Sequence, residues 1–147
     1  MAEPTRRYKE PDSDNARWDG FEFRDGDVVI AAPSKSGTTW TQLLVALLVF
    51  DGPDFPEPIG KMSLWMDQRT RPVEEAHATF AAQEHRRFIK THTPLDGVPI
   101  VDEARYVCVG RDPRDASISM LPHADNMDRV AFDRLLAADV LPDEERP

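Results

Sequence analysis

Val28-Val29-Ile30-Ala31-Ala32-Pro33-Ser34-Lys35-Ser36-Gly37-Thr38-Thr39-Trp40 joins an apolar run to a short polar turn and then to the start of an apolar helix. Val28 to Ala32 has no polar face, which suits a strand of a parallel sheet covered by helices on both sides. Thr38 or Thr39 can begin the helix. The run Leu43 to Val49 carries it to about Phe50, where Asp51-Gly52-Pro53 ends it. That run is apolar all round, which predicts a central, covered helix. A strand feeding such a turn into a helix start aims several unpaired backbone N–H groups at one point. The helix dipole and the Lys35 ammonium make that point positive, so the turn reads as an anion site, most simply for a phosphate.

The turn is related to a phosphate-binding P-loop but does not follow the Walker pattern. Walker A sets its Lys directly after the last Gly, whereas Lys35 stands two residues before Gly37. Further along, Phe88-Ile89-Lys90-Thr91 reads as a short strand, with Pro94 and Gly97 in the loop beyond it. Tyr106-Val107-Cys108-Val109 reads as a second buried strand, followed by the turn Gly110 to Asp115 and a helix from near Pro113 through Leu121. Val73 to about His85 is helical, and so is roughly Asp128 to Ala138, with Val130, Phe132, Leu135 and Leu136 as its apolar stripe. Phe21-Glu22-Phe23 is expected to be a short strand. Gly52 to Arg71 is expected to be irregular around the apolar knot Leu64-Trp65-Met66. Residues 1–20 are polar and read as a loose arm, leaving 21–147 as the folded part. Strands alternating with helices predict an α/β class, a P-loop-like parallel sheet flanked by helices.

The 147 residues suffice for one domain with a substantial core, since a chain of this length hides about 68–70% of its extended surface. The net charge of −9 argues against an electrostatic nucleic-acid binder, which needs a basic face. It also requires any anionic ligand to be held by a local cluster of cations against the overall field. Cys108, the single cysteine, rules out an intramolecular disulfide and suits a reducing compartment, and its place within a strand predicts an inert thiol. The N-terminus lacks an apolar signal core, and the longest apolar run is too short to span a bilayer, so a soluble cytoplasmic chain is expected, without a membrane partner. The chain ends at Leu141 to Pro147 with no further strand, so the sheet reads as unfinished and the sequence as the truncated front of a larger domain. An exposed, unfinished sheet favours association with another copy.

Two further groups carry chemistry. Arg111 stands at the C-terminal end of its strand, where parallel sheets bind ligands, and Ser119 lies two helical turns on. Together they suit a second phosphate, gripped bidentately by the guanidinium. Alternatively, Arg111 pairs with Asp112 or Asp115 and Ser119 is solvated. In Lys90-Thr91-His92, the imidazole can take a proton near neutral pH, and Lys90 points to the same side of the strand. The plainer reading has His92 capping a turn and Lys90 in solvent. His77 and His85 read as solvated residues of a polar helix, His123 as a helix-end residue, and Glu74-Glu75 as first-turn acids. No His, Cys and carboxylate cluster suggests a metal.

Pro33 to Trp40 resembles the 5′-phosphosulfate-binding motif of the cytosolic sulfotransferases. Tyr106 to Ser119, with Arg111-Asp112-Pro113-Arg114-Asp115 inside it, resembles their 3′-phosphate motif, and Lys90-Thr91-His92 the segment carrying their catalytic histidine. The resemblance runs from about Asp19 to Leu121. It implies transfer of a sulfuryl group from 3′-phosphoadenosine 5′-phosphosulfate (PAPS) to a small-molecule hydroxyl or amine acceptor, without a metal. By this resemblance Lys35 meets the charge on the bridging oxygen, and Ser36, Gly37, Thr38 and Thr39 cradle the 5′-phosphate. Trp40 offers a face to adenine, unless it is a core residue. His92 is the base, Lys90 contacts the sulfuryl oxygens, and Arg111 and Ser119 hold the 3′-phosphate. The family's C-terminal Arg-Lys-Gly element and late adenine-stacking aromatic have no counterpart after Ser119. Two alternatives stay open: a non-catalytic nucleotide-binding fragment, and a P-loop kinase-like phosphoryl transferase, against which the position of Lys35 counts.

Overall fold

The computed structural model describes residues 2–140. At its centre lie three parallel strands, β1 (Val28–Ala31), β2 (Phe88–Thr91) and β3 (Arg105–Cys108), in the order β2-β1-β3. Ile30 stands opposite Lys90 on one side and Val107 on the other. Between β1 and β2 the chain forms α1 (Thr38–Val49), α2 (Ile59–Met62) and α3 (Val73–Ala82). After β3 it forms α4 (Pro113–Asp125) and α5 (Arg129–Val140). Parallel pairing demands such crossovers, and the expected α/β class is what the chain adopts.

The two-residue period of the strands sorts the core into two faces. Val28, Ile30 and Phe88 pack with Ala46 of α1 and Met62 of α2. Val29 and Ile89 face the other way, onto Trp18, Phe21, Leu64, Met66, Ala76 and Phe80. The stretch expected to be irregular extends the sheet beyond β2. The Lys90 N–H donates to the Leu64 carbonyl at 3.1 Å, and the Met66 N–H donates to the Lys90 carbonyl at 2.9 Å. A buried ion pair pins the strand entrances. Arg87, just before β2, reaches Asp27, just before β1, with its Nε 2.8 Å from Oδ1 and a second contact through Nη2.

Several expectations are corrected. Residues 2–20 are not a loose arm. Ala2 bridges Ile100, and Asn15–Trp18 forms a 3-10 turn capped by Asp14. The Asn15 amide donates to the Arg6 and Gly97 carbonyls at 2.9 and 2.8 Å. Polar side chains bonded across long sequence distances hold this segment, which a composition-based reading does not register. Phe21 to Phe23 is not a strand. The two phenyl rings join Trp18 in a cluster with centroids 5.1–5.8 Å apart, and ring packing takes the place of a ladder.

Helix α1 is covered on one side only. Ala46 is fully buried while Leu48 is 84% exposed, because the sheet lies along a single face of the helix. Strand β3, expected to be buried, is an edge strand with Arg105 and Cys108 exposed, so Cys108 ends its strand in the open instead of lying shielded within it. His77 is half-buried, its Nε2 lying 2.8 Å from the Arg17 carbonyl and its ring against Phe21. His85 falls beyond the end of α3, with its ring 5.1 Å from that of Phe50. The chain end Leu141 to Pro147 lies outside the described residues.

Candidate active site

All three strands run the same way, so the turns leaving their C-terminal ends gather at one edge of the sheet. There they surround a cavity of about 740 Å³ lined by Lys35, Gly37, Thr38, Thr39 and Trp40 from β1 and α1, by Lys90 and His92 from β2, and by Arg111 and Ser119 from the unit after β3. Ser36 departs from this set. It lines an adjoining space of about 520 Å³ beneath α4, and its N–H donates to the Pro33 carbonyl at 3.1 Å within the turn. The backbone cradle therefore consists of Gly37, Thr38 and Thr39.

The turn is shaped for an anion. Lys35 has φ 61° and Gly37 has φ 92°, two left-handed residues that bend the chain back toward the start of α1. Gly37 adopts this freely, while a side-chain-bearing residue such as Lys35 does so at a cost of about 1–2 kcal/mol. A Cβ on Gly37 would meet nothing within 4 Å, so the space before the helix start is open. The buried hydroxyls of Ser36 and Thr38 have no hydrogen-bond partner among the described residues. Orphaned hydroxyls beside unbonded first-turn N–H groups fit a phosphate or sulfate ester.

Arg111 pairs with neither neighbouring carboxylate. Its Nη1 donates to the Lys35 carbonyl at 2.9 Å, linking the two turns, and Asp112 instead engages Arg114. The hydrogen bonds from Arg114 hold the Asp112 carboxyl below its usual range. Trp40 is 75% exposed, which removes the core reading of this ring, and Phe132 of α5 lines the same cavity.

His92 has a defined tautomer. Its Nδ1 lies 2.5 Å from the Ala32 carbonyl, which only accepts, so Nδ1 carries the hydrogen and Nε2 keeps its lone pair. Burial lowers its pKa below the ordinary imidazole value. The nearby Lys90 charge adds to this, and the Ala32 carbonyl, Asp67 and Asp12 oppose it. Lys90 is likewise lowered by burial, with Asp67 opposing, and its Nζ sits 4.9 Å from the Trp65 ring centroid. Lys90 is therefore not in the solvent that the plainer reading gave it, and the His92 ring bonds the Ala32 carbonyl just beyond β1.

Sequence reasoning missed Asp67. This fully buried carboxylate accepts from Trp18 Nε1 at 2.6 Å, from Trp65 Nε1 and the His92 N–H at 3.1 Å each, and from the Thr91 hydroxyl. Its signal was present as a charge attached directly to the apolar knot Leu64-Trp65-Met66. Among the described residues no group of three or more His, Cys, Asp or Glu is arranged for a metal, and no helix is long and apolar enough to cross a membrane.

A sulfotransferase domain model matches residues 25–143. The chain is 58% identical over 139 residues to a glycolipid sulfotransferase of Mycobacterium tuberculosis, covering 95% of this chain and 42% of that protein. It is 31% identical over 115 residues to an amine sulfotransferase of Oryctolagus cuniculus, covering 74% of this chain and 36% of that one. Among solved structures it is similar to retinol dehydratase in a complex with retinol and PAP, with a TM-score of 0.62 and 25% identity over 80% of this chain and 47% of that chain. The chain thus spans less than half the length of each of these proteins.

Proposed function

The chain belongs to the sulfotransferase family, and we propose that it forms the nucleotide-binding and base-bearing part of a PAPS-dependent sulfotransferase. One observation carries the reading. A single cavity joins the turn before α1, where the Thr38 hydroxyl has no partner among the described residues, to an imidazole whose Nε2 keeps its lone pair. When bound, PAPS supplies the sulfuryl group and departs as 3′-phosphoadenosine 5′-phosphate (PAP). The N–H groups of Gly37, Thr38 and Thr39, with the Thr38 hydroxyl, hold its 5′-phosphate, and Trp40 meets the adenine. Arg111 and Ser119 bind the 3′-phosphate.

His92 Nε2 takes the acceptor proton as the new oxygen–sulfur bond forms. Lys35 neutralises the charge left on the phosphate oxygen as the old sulfur–oxygen bond breaks, and Lys90 faces the sulfuryl oxygens. The acceptor is a small molecule bearing a hydroxyl or an amine. The glycolipid class named for the mycobacterial relative is the first to test.

Calorimetry with PAP, and with ATP and Mg²⁺, tests the binding half, and preference for ATP would refute it. Transfer to a phenol or glycolipid acceptor, lost in His92→Ala with PAP binding kept, tests the chemistry. PAP binding without any transfer would leave the chain a nucleotide-binding unit.

A further inference from the structure

We propose that Asp67 is the positioning residue for His92, clamping the segment Thr91 to Thr93, the Trp65 ring and the N-terminal segment into one rigid unit around the imidazole. The inference rests on the reading of His92 as the base. It starts from an oddity of the core. Asp67 is 0% exposed and forms no ion pair among the described residues, and its hydrogen-bond partners are neutral donors. A buried carboxylate is costly, and an apolar residue of the same size would fill the space as well.

The four bonds converge on the base. Oδ2 accepts from the Thr91 hydroxyl and the His92 N–H, and the Thr91 oxygen accepts from the Thr93 N–H at 3.0 Å. Residues on both sides of His92 are therefore tied to one carboxylate. Oδ2 also fixes the Trp65 indole, whose ring meets the His92 ring edge-on at 4.5 Å and carries the Lys90 ammonium over it. Oδ1 holds Trp18, which stands in the 3-10 turn of the N-terminal segment, 49 residues away in the chain. In this way a segment preceding β1 reaches the base without touching it.

The charge of Asp67 acts alongside its bonds. Lys90 disfavours the imidazolium, while Asp67 and Asp12 favour it. Lys35, Arg111 and His123 line the same cavity from the other turns and α4. Neutralising Asp67 removes one of the two carboxylates that oppose burial and Lys90.

Asp67→Asn, followed by nuclear magnetic resonance of the histidine rings, tests the proposal without any need for activity. The titration midpoint of His92 is expected to move to lower pH, and PAP affinity is expected to stay within about 2-fold because no residue of the anion turn touches Asp67. In the transfer assay kcat falls about 10²-fold with the acceptor KM little changed, as for a misplaced base. An unchanged or raised His92 midpoint in folded Asp67→Asn overturns the proposal. If that variant does not fold, the wild-type chain gives the answer. The Trp18 indole N–H resonance should follow the His92 titration through the shared carboxylate while that of exposed Trp40 stays flat. A flat Trp18 beside a titrating His92 overturns the proposal. Since neither readout involves sulfuryl transfer, a chain that transfers nothing would refute the functional reading and leave this result standing.

Discussion

Lys35 offers the most direct test of whether the anion turn is strained for function. Its φ of 61° is left-handed, a conformation that costs a residue with a Cβ about 1–2 kcal/mol. Glycine escapes that cost but surrenders more chain entropy on folding, about 0.5–1 kcal/mol relative to alanine. The difference makes Lys35→Gly more stable than Lys35→Ala by about 0.5–1 kcal/mol. Among the described residues the Lys35 side chain makes no hydrogen bond or ion pair, and the Arg111 contact uses its carbonyl, so both variants keep that link. Urea denaturation at unchanged slope measures the gap, which corresponds to about 1–4 °C in thermal midpoint for a chain of this size. Both variants should lose about 10²–10³-fold in kcat, the usual cost of removing one donor from a developing anion. A more stable and less active Lys35→Gly would mark the turn as a place where stability is given up for chemistry. Equal stability of the two variants, or a less stable glycine, would refute the strain argument.

Other consequences are equally open to measurement. With His92 as the proposed base, active when neutral, and with its pKa lowered by burial, kcat/KM should reach its plateau below the ordinary imidazole value of about 6.5. The same shift makes folding stability fullest above that unfolded value and lost as pH falls through the folded one. A denaturation series from neutral to acid pH should show that loss shrink in His92→Ala. Arg111→Ala should weaken PAP about 10–100-fold, by loss of a charge-assisted contact worth about 1.5–3 kcal/mol. The same variant should leave adenosine 5′-phosphosulfate, which lacks the 3′-phosphate, nearly unaffected, and calorimetry with both ligands separates the two. Asp27→Ala leaves Arg87 buried and unpaired and should cost about 3–5 kcal/mol in urea denaturation, far more than any exposed acid to alanine change.

What could be read from the chain was whatever depends on neighbours in sequence. The apolar runs at Val28 and Phe88 mark strands within a residue of their bounds, because a strand covered on both faces must be apolar at consecutive positions. The run at Tyr106 misled for the same reason. It looks buried, but sheet order sets it at the edge, and nothing local encodes sheet order. The Leu43 to Val49 run of helix α1 is apolar all round, so its sequence does not say which side the sheet will take. The N-terminal segment misled in the opposite direction. Its polar residues suggested disorder, yet the Asn15 bond to Gly97 and the Trp18 bond to Asp67 are contacts across 82 and 49 residues. Most of the residues that line the cavity could be picked out because they follow strand ends, which are local signals. Asp67 could not, because its meaning depends on four partners drawn from three separate parts of the chain.

The same contrast bears on how so acidic a chain could hold the proposed anionic ligand. Its net charge is −9, while Lys35, Lys90 and Arg111 converge on one cavity because three parallel strands end there together. At a Debye length of about 8 Å in physiological salt, the distant acids are largely screened from that cavity and the three local cations are not. Affinity for a doubly phosphorylated ligand should therefore rise with moderate salt if the surface acids dominate and fall if the local cluster does. Three cations lining one cavity favour the fall. Strand polarity, more than net charge, decides what this molecule can bind.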